Sequence, residues 1–401
     1  MDDVALRYLL LGLRLGRHVP RFVHSYTGPA QLAEAVDGEP LTPPAELHDE
    51  AMQVAGLAAD LPAGTATQRW RIAWLQAQCG AMAALARWAG GEEIGYVDLV
   101  EALYDIDLQL EPDATFDTAR RMLDSALPGG GPLGERLAAH DAQARIAPEW
   151  AIGMASELAA RLRMRTRAQL WLPGRESLRI EAGRGGAVTL DARYVGSGDS
   201  VVRVNLERPI TLQTLVEVAA HEGYPGHHAE AAAKDELLVA AGHDELGLIT
   251  SLSPQALVSE GMAGFAREVV MTDHELAAEL RRLTRTTDEG PGIEAEMAVR
   301  RARLLLLPAH GNAAVALHRD GEPLSRVRGY LAEVAVVTDE QLDETVASLA
   351  DALSSTTRFA HIEGRRLISD WLETHGQTHG FGRLLAEQMT PRTMRSDLST
   401  A

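Results

Sequence analysis

Apolar residues recur at every third or fourth position along most of the chain. Leu6, Leu9 and Leu13 are the first example, and this spacing places apolar side chains on one face of an α-helix. The same spacing returns in later, alanine-rich segments, which cover residues 45–60, 66–89, 97–104 and 148–166. The pattern therefore predicts a mainly α-helical fold.

Strict alternation of apolar and polar residues, which is typical of a half-buried strand, stands out in one region. It runs from Val188 to Tyr194 and again from Val202 to Leu206, with a turn at Gly196-Ser197-Gly198-Asp199 between the two runs. We therefore predict a small antiparallel β-sheet. The edge of such a sheet can bind an extended peptide through backbone hydrogen bonds; a sheet that only covers the core is an equal alternative.

Glycine and proline break the helical pattern at a few places. The strongest break is the Gly/Pro-rich stretch 127–134, which predicts a loop or hinge between a helical N-terminal lobe (1–126) and a second lobe (135–401). Pro308 to Asn312 predicts a turn. The polar stretch from Thr390 onward predicts a loose tail.

Composition narrows the classes of partner and the location. The 401-residue chain has a formal net charge of −19, which argues against nucleic acid and anionic membrane surfaces as partners. No apolar run reaches the roughly 18 residues of a membrane span, and the early apolar run after Asp2 and Asp3 lacks the basic start of a signal peptide. Cys79 is the only cysteine, so no intramolecular disulfide can form. These features predict a cytoplasmic protein with no membrane and no nucleic-acid partner.

The chemistry concentrates in the segment from His221 to His228. Zinc hydrolases commonly place two histidines four positions apart on a helix, with a glutamate beside the first that takes a proton from the activated water. Here Glu222 follows His221, but the fourth position after His221 is Pro225. On a straight helix His227 would point about 120° away from His221, and His228 would lie about 10 Å further along the axis. Neither could then share one ion with His221.

Pro225 and Gly226 supply a way to bring a second histidine into place. Proline removes the backbone N–H that would bond the carbonyl of His221, and glycine accepts the unusual dihedral angles that follow. A two-residue bulge would move His227 to the position of the usual second ligand; His228 is the alternate ligand if the bulge is placed differently. The alternative interpretation is a helix that ends at Pro225 and leaves three histidines facing solvent.

At this point the chain resembles a known family. The segment is similar to the signature His-Glu-x-x-Pro-Gly-His-His of a large bacterial group, the domain-of-unknown-function 885 family. Glu260, Gly261 and Ala263 match a second family element, Glu-Gly-Trp-Ala-x-Tyr-x-Glu. Met262 stands in place of the family tryptophan, and Phe265 stands where the tyrosine is expected.

The resemblance carries expectations about fold and chemistry. The family is similar to helical zinc metallopeptidases of the neurolysin and thermostable-carboxypeptidase type. That similarity implies a helical metallopeptidase-like architecture with a deep cleft, peptide-bond hydrolysis, and one zinc ion (Zn2+) per chain. It also implies Glu260 as the third ligand beside His221 and His227.

The segment around Glu260 predicts a helix that begins at Ser253-Pro254, with serine at the cap and proline at the first position. Gly261 and Gly264 inside this helix are explained by a close approach of the helix that carries His221. Glu268, two turns after Glu260, is a candidate for orienting a ligand histidine from behind.

A late histidine completes the set of candidates. The family tends to carry Tyr-x-x-Gly in this part of the chain, where the sequence has His361 three positions before Gly364. Helical metallopeptidases often use a late tyrosine or histidine to stabilise the oxyanion of the transition state. His361 is the candidate for that role, and a capping or packed histidine is the alternative.

Together these observations predict a zinc-dependent hydrolase, a peptidase or amidase, with the metal-binding catalytic lobe at 135–401. Glu222 is the expected general base, and the expected substrate is a peptide or small amide. Met262 and His361 keep a second hypothesis open, namely a catalytically weak metal-binding protein with a binding or regulatory role. A third hypothesis, a helical scaffold without a cofactor, requires all of these residues to be coincidental. The sequence predicts no oligomeric state.

Overall fold

The computed structural model describes residues 1–185, 189–284 and 292–399, and these form eighteen α-helices and five short strands. The helices are α1 (Asp3–Gly16), α2 (Ala30–Gly38), α3 (Pro44–Ala59), α4 (Ala66–Ala89), α5 (Tyr96–Tyr104), α6 (Asp117–Ala126), α7 (Leu133–Gln143), α8 (Pro148–Gln169), α9 (Leu212–Val216), α10 (His227–Leu237), α11 (Pro254–Val270), α12 (Asp273–Thr284), α13 (Ile293–His318), α14 (Leu324–Glu333), α15 (Asp339–Ala350), α16 (Ala352–His375), α17 (Gln377–Ala386) and α18 (Pro391–Leu398). The strands are β1 (Val23–Tyr26), β2 (Ser177–Gly183), β3 (Leu190–Gly196), β4 (Asp199–Asn205) and β5 (Leu248–Thr250). The prediction of a mainly α-helical fold with a small sheet is confirmed.

The predicted hairpin is present as β3 and β4, which pair antiparallel around the turn at Gly196 to Asp199. Val188, where the predicted alternation begins, lies outside the described residues. β2 adds a third strand that runs parallel to β4, which gives the order β2-β4-β3. Far apart in sequence, β1 and β5 form a separate antiparallel pair.

One hydrophobic core extends through the described residues, from Val4 on α1 to Met394 on α18. Of the predicted hinge at 127–134, residues 127–132 lie between α6 and α7 and the last two begin α7. The division into two lobes stays a prediction. None of the described helices combines the length and the apolarity that crossing a membrane requires.

Two predictions about local structure were wrong. Pro308 does not make a turn but lies inside α13, where the buried residues Leu306 and Ala309 on either side keep the helix packed. The stretch from Thr390 is not a loose tail, because Thr390 caps α18 through a capping box and Met394 is buried. In α13 tertiary packing outweighs the local preference of proline for irregular structure, whereas α18 begins with a local cap.

Glycines let α11 and α16 cross in direct backbone contact. A Cβ atom on Gly261 would lie 2.4 Å from the backbone of Gly364, and one on Gly364 would lie 2.3 Å from the carbonyl oxygen of Leu257. The expectation that the His221 helix approaches Gly261 and Gly264 was therefore wrong, since α16 fills that space and Gly264 has only an ordinary contact with Arg365. This crossing brings the late part of the chain next to Glu260.

Candidate metal centre

The helix that carries His221 widens before it ends. Residues Glu217–His221 form a π-helical turn, and the N–H of Tyr224 bonds the carbonyl of Ala219 at 2.9 Å, five residues back. The N–H of Gly226 bonds the carbonyl of Ala220 at 3.1 Å, six residues back, and the Tyr224–Pro225 peptide bond is cis. A Cβ atom on Gly226 would lie 1.9 Å from the carbonyl oxygen of His221, so only glycine fits there.

This widened turn corresponds to the bulge between His221 and His227 that the sequence suggests. α10 begins directly after it at His227, and the Nε2 atoms of His221 and His227 lie 3.1 Å apart. The two rings are nearly perpendicular, at 86°. An insertion that a straight helix lacks thus places the sixth residue after His221 beside it.

Glu260 on α11 completes a triangle of donor atoms. Its Oε2 atom lies 3.2 Å from Nε2 of His221 and 3.5 Å from Nε2 of His227. In a tetrahedral zinc site with bonds of about 2.0–2.1 Å, neighbouring ligand atoms lie about 3.3 Å apart. The three observed separations match one face of such a tetrahedron. The structure therefore brings together His221, His227 and Glu260 in a geometry that fits a divalent cation.

The Oε2 atom of Glu260 supplies an independent test of that fit. This oxygen is buried, and no group makes a well-directed hydrogen bond to it, although three imidazole nitrogens lie within 3.5 Å. A buried carboxylate oxygen without a directed partner is costly. A cation shared by the three donor atoms would satisfy it, so these residues fit a metal ion.

Charges in the site are strongly coupled. Although burial opposes protonation, Glu217 and then Glu260 raise the pKa of His221 to about 10. Burial raises the pKa of Glu222 above its ordinary range, and the neighbouring His227 and His221 oppose that shift. Against the effect of burial, His361 and His227 hold the pKa of Glu260 well below its usual range.

Each candidate ligand histidine has a polar partner at its Nδ1 atom. Nδ1 of His221 lies 3.6 Å from the carboxylate of Glu217, and Nδ1 of His227 lies 3.0 Å from Oγ of Ser259. Ser259 donates in turn to the buried Glu230. Such partners fix the orientation and the tautomer of a metal-bound imidazole.

Sequence analysis missed these partners. Glu217 stands one helical turn before His221, and that spacing is the signal that could have found it. Ser259 directly precedes Glu260, and no sequence pattern marks it as the partner of a histidine. Glu230 is held by Lys234, one turn further along α10, at 2.5 Å and by Gln255 on α11 at 2.8 Å. Only the packing of α10 on α11 produces the second contact.

His228, the alternate ligand, points away from the other candidates. Its Nδ1 atom lies 2.8 Å from Oγ of Ser200 on β4, and its Nε2 atom lies 3.1 Å from the carboxylate of Glu176. The imidazole is fully buried. Arg163 and Arg167 bind the other oxygen of Glu176 at 2.7 and 2.6 Å. His228 therefore anchors α10 to the sheet.

His361 on α16 also contacts the candidate centre. Its Nδ1 atom lies 3.2 Å from Oε2 of Glu260, and 44% of its side chain is exposed towards a cavity that it lines.

Two further residues singled out in the sequence lie away from the candidate ligands. Met262, in place of the family tryptophan, is fully buried. Glu268 was wrongly expected to orient a histidine: it pairs with Arg365 at 3.3 Å and with Arg267 at 3.5 Å.

The candidate centre opens into a cavity of about 1000 Å³. Its walls come from β1, β3, β4, β5, α10, α11 and α16, and Glu222, His227, Glu260 and His361 all line it. A cavity of this size accommodates a ligand as large as a short peptide. The cleft expected beside the sheet is thus present.

Comparisons with known proteins bear on the fold. No protein-family model matches the chain, and no curated protein matches it in sequence. A solved structure of a provisionally assigned lipoprotein from Colwellia psychrerythraea is similar, with a TM-score of 0.56 and 14% identity over 88% of this chain and 67% of that one. Another, a provisionally assigned lipoprotein of unknown function from Shewanella oneidensis, has a TM-score of 0.51 and 10% identity over 92% of this chain and 76% of that one. At these identities the likeness concerns the fold alone, and the chain shares its fold with these two proteins.

Proposed function

We propose that this protein is a zinc-dependent hydrolase of peptides or small amides, with His221, His227 and Glu260 as the metal ligands. The observation that carries the proposal is the triangle of three donor atoms, 3.1, 3.2 and 3.5 Å apart, at the wall of a large cavity. A purely structural zinc site uses four protein ligands, whereas a catalytic site uses three and keeps a position open.

The residues around the triangle supply the remaining functions. A divalent cation held there would acidify water and polarise a carbonyl group. Glu222 lines the same cavity, and its raised pKa suits a carboxylate that accepts a proton from water and returns it to the leaving amine. His361, which contacts Glu260 through Nδ1, would donate a hydrogen bond to the oxyanion.

The cavity wall supports a peptide as substrate. The carbonyl of Thr189 accepts from the N–H of Asn205 on β4 at 2.9 Å, so alternate residues of β3 turn their backbone groups the other way. Leu190 and Ala192 belong to that second set, and both line the cavity. Backbone groups on such an edge can bind an extended chain.

The decisive experiment combines metal analysis with one substitution. We expect about one zinc per chain in protein purified without chelator or metal-affinity resin, and loss of that zinc in Glu260→Ala. The Glu222→Gln variant should keep its zinc and lose hydrolysis of a peptide library by at least about a hundredfold, because it removes the proton acceptor. Absence of zinc even after incubation with the metal, or unchanged turnover by Glu222→Gln, contradicts the proposal.

A second candidate function is a catalytically weak metal-binding protein. The observation that favours it is the 3.2 Å contact between Nδ1 of His361 and Glu260. His361 stands where the family has a tyrosine, and this contact makes it part of the metal site. In that case zinc binds normally, and wild type and Glu222→Gln show the same negligible hydrolysis.

Membership of the domain-of-unknown-function 885 family belongs to the same proposal, supported by the residue matches at 221–228 and 260–263. A cytoplasmic location is also proposed, and the single cysteine, Cys79, supports it because it is buried as a free thiol. Fractionation of cells that express the native gene would test the location.

A further inference from the structure

We propose that Glu230 on α10 is a positioning residue for the candidate metal centre: through Ser259 it fixes the ring proton of His227 on Nδ1, so that the lone pair of Nε2 faces the metal site. The inference rests on the proposed function, because it takes His227 as a ligand. It goes further by assigning the direction of each hydrogen bond behind that ligand and by naming the charge that sets this direction.

A chain of hydrogen bonds runs from His227 into the protein. Nδ1 of His227 lies 3.0 Å from Oγ of Ser259 on α11, and the hydroxyl of Ser259 donates to Oε2 of Glu230. Only 6% of the Glu230 side chain is exposed. Ser259 thus lies between an imidazole and a buried carboxylate, and its single hydroxyl proton can go to one of them only.

The charge of Glu230 decides that direction. The ammonium of Lys234, the single lysine of the chain, donates to Oε1 of Glu230 at 2.5 Å, and only 7% of the lysine side chain is exposed. Burial raises the pKa of Glu230, but the charge of Lys234 and the hydrogen bonds outweigh it and hold the pKa below its ordinary value. An ionised carboxylate can only accept hydrogen bonds. The hydroxyl proton of Ser259 therefore goes to Glu230, and the hydroxyl oxygen accepts the N–H at Nδ1 of His227.

The nitrogen that faces the metal site follows from this direction. In a neutral imidazole one nitrogen carries the proton and the other carries the lone pair. With the proton on Nδ1 of His227, the lone pair is on Nε2, the atom that lies 3.1 Å from Nε2 of His221 and 3.5 Å from Oε2 of Glu260. Metal binding requires a deprotonated nitrogen at this position, so the ion pair on α10 prepares His227 as a ligand.

The two oxygens of Glu230 have different neighbours. Oε1 accepts from Lys234 and from Nε2 of Gln255 at 2.8 Å, whereas Oε2 accepts from Ser259. The amide of Gln255 is held in this orientation, because its own oxygen accepts from the indole N–H of Trp74 at 2.8 Å. The side of Glu230 that faces Lys234 and Gln255 is thus reserved for an acceptor.

This asymmetry makes Glu230→Gln a sharp substitution. The new amide oxygen stays on the side of the two donors, so the amide nitrogen faces Ser259 and donates to it. Ser259 then donates to Nδ1 of His227, and the ring proton moves to Nε2, where it opposes metal binding. A change of one atom type reverses the whole chain of hydrogen bonds without changing the size of the side chain.

The test measures zinc affinity by competition with a chromophoric chelator in wild type, Glu230→Gln, Ser259→Ala and the double variant. We expect Glu230→Gln to weaken zinc binding by about 100-fold, more than Ser259→Ala, which only removes a partner of His227. The double variant should bind zinc more tightly than Glu230→Gln and about as tightly as Ser259→Ala, because no hydroxyl remains to pass on the reversed direction. General loosening of the packing predicts the opposite, namely that the double variant binds zinc most weakly.

Glu245→Gln is the matched control. Glu245 is also a fully buried carboxylate that pairs with a cation, Arg71, at 2.8 Å and accepts from a glutamine amide, that of Gln388, at 3.1 Å. These partners are not candidate ligands, so the substitution should leave zinc affinity unchanged.

A second variant serves if Glu230→Gln does not fold, since it leaves the buried Lys234 without its counter-ion. Glu230→Gln/Lys234→Met removes that charge as well. Gln255 still donates to the amide oxygen from the same side, so the same reversal and the same loss of zinc affinity are expected.

The outcomes separate this inference from the proposed function. A wild type that binds no zinc overturns both. Zinc bound equally tightly by wild type and Glu230→Gln, or a loss in Glu230→Gln that adds to that of Ser259→Ala or recurs in Glu245→Gln, overturns the role of Glu230 and leaves the hydrolase intact. The expected pattern of zinc affinities without hydrolysis of a peptide library by wild type supports the role of Glu230 and contradicts the hydrolase.

Discussion

At the scale of single residues, the centre depends on how its charged groups are partnered. Oε2 of Glu260 faces three imidazole nitrogens within 3.5 Å, and the raised pKa of His221 means that a cation must displace a proton from this ring. The groups behind the ligands then matter as much as the ligands. Ser259 and Ser200 offer a matched comparison, because each bonds Nδ1 of a histidine in the same motif.

Ser259→Ala should weaken zinc affinity by about 10-fold, since it removes the partner that orients His227. Competition with a chromophoric zinc chelator measures this affinity. Ser200→Ala is the control: it removes the partner of His228, which is not among the proposed ligands, and should leave zinc affinity unchanged. Equal effects of the two substitutions would show that general loosening of α10, and not orientation of a ligand, sets the affinity.

Glu176 should contribute stability that depends on pH. Despite its burial, hydrogen bonds from His228, Tyr224, Arg163 and Arg167 lower its pKa from 4.5 to about 2. A carboxylate with a depressed pKa in the folded state contributes fully above the unfolded value, and this contribution is lost as the pH falls from about 4.5 towards 2.

Glu176→Gln should therefore flatten the acid limb of the stability curve. Urea unfolding at a series of pH values between 5 and 2 gives the free energy of unfolding of both proteins. The variant should be less stable at pH 5, and the gap should shrink as the pH falls. A gap that stays constant or widens towards pH 2 would contradict the assigned pKa shift.

At the scale of elements, the crossing of α11 and α16 decides whether His361 reaches Glu260. The crossing tolerates no side chain at Gly261 or Gly364, whose neighbours are backbone atoms that cannot move aside. Glycine lowers the stability of a helix, but at a helix crossing it allows the two helix axes to lie close together. We therefore expect substitutions of Gly261 or Gly364 to change the geometry of the centre, although neither residue carries a reactive group.

Gly261→Ala should lower the free energy of unfolding by about 1–3 kcal/mol, since the new methyl group overpacks the crossing. Thermal and denaturant unfolding measure the change. Gly80→Ala on α4 is the control, because a Cβ atom there meets nothing within 4 Å and the substitution should be neutral or stabilising by about 0.5–1 kcal/mol. Two variants of equal stability would mean that the helices separate without cost.

The closeness of His221 and His227 was largely accessible from the sequence, because Pro225 and Gly226 act locally on the backbone, whereas Glu260 was named through the family resemblance. A bulge between His221 and His227 follows from the chemistry of Pro225 and Gly226 alone.

The partners of the ligands were not accessible in the same way. Ser259 meets His227, and Gln255 meets Glu230, only because α10 packs on α11. Neither contact leaves a periodic signal in the chain.

In the fold, too, local features were predictable from the sequence and long-range contacts were not. Helical periodicity predicted the class of fold, and the alternation of apolar and polar residues predicted the hairpin β3–β4, since both are local patterns. The pair β1–β5 joins segments far apart in sequence, and β2 pairs parallel with β4 and not with its neighbour in sequence, β3. No local pattern specifies such pairs. Pro308 was misjudged for a related reason: burial of α13 on its neighbours outweighs a local preference.

At the scale of the whole molecule, a bound cation would join three segments of the chain, namely the turn at Glu217–His221, α10 and α11. A ligand that binds only the folded state stabilises it by RT ln(1 + [L]/Kd), where [L] is the concentration of free ligand. Without the cation, Glu260 keeps a buried oxygen that lacks a directed partner. Metal content should therefore be visible in global stability.

Removal of zinc by dialysis against chelator should lower the midpoint of thermal unfolding by several degrees, and added zinc should restore it. Calorimetry on wild type measures the shift, and the same treatment of Glu260→Ala should have no effect. A wild-type midpoint that is unchanged although elemental analysis proves the loss of zinc would show that the ion does not contribute to the fold.

The walls of the cavity come from widely separated parts of the chain. β1 contributes Val23 and His24, and α16 contributes Thr357 and His361. No short contiguous fragment therefore carries both walls, and two halves of the protein cut between α6 and α7 would each lack part of the cavity. Reassembly of such halves would have to precede substrate binding, so recovered hydrolysis could serve as a direct readout of fragment complementation.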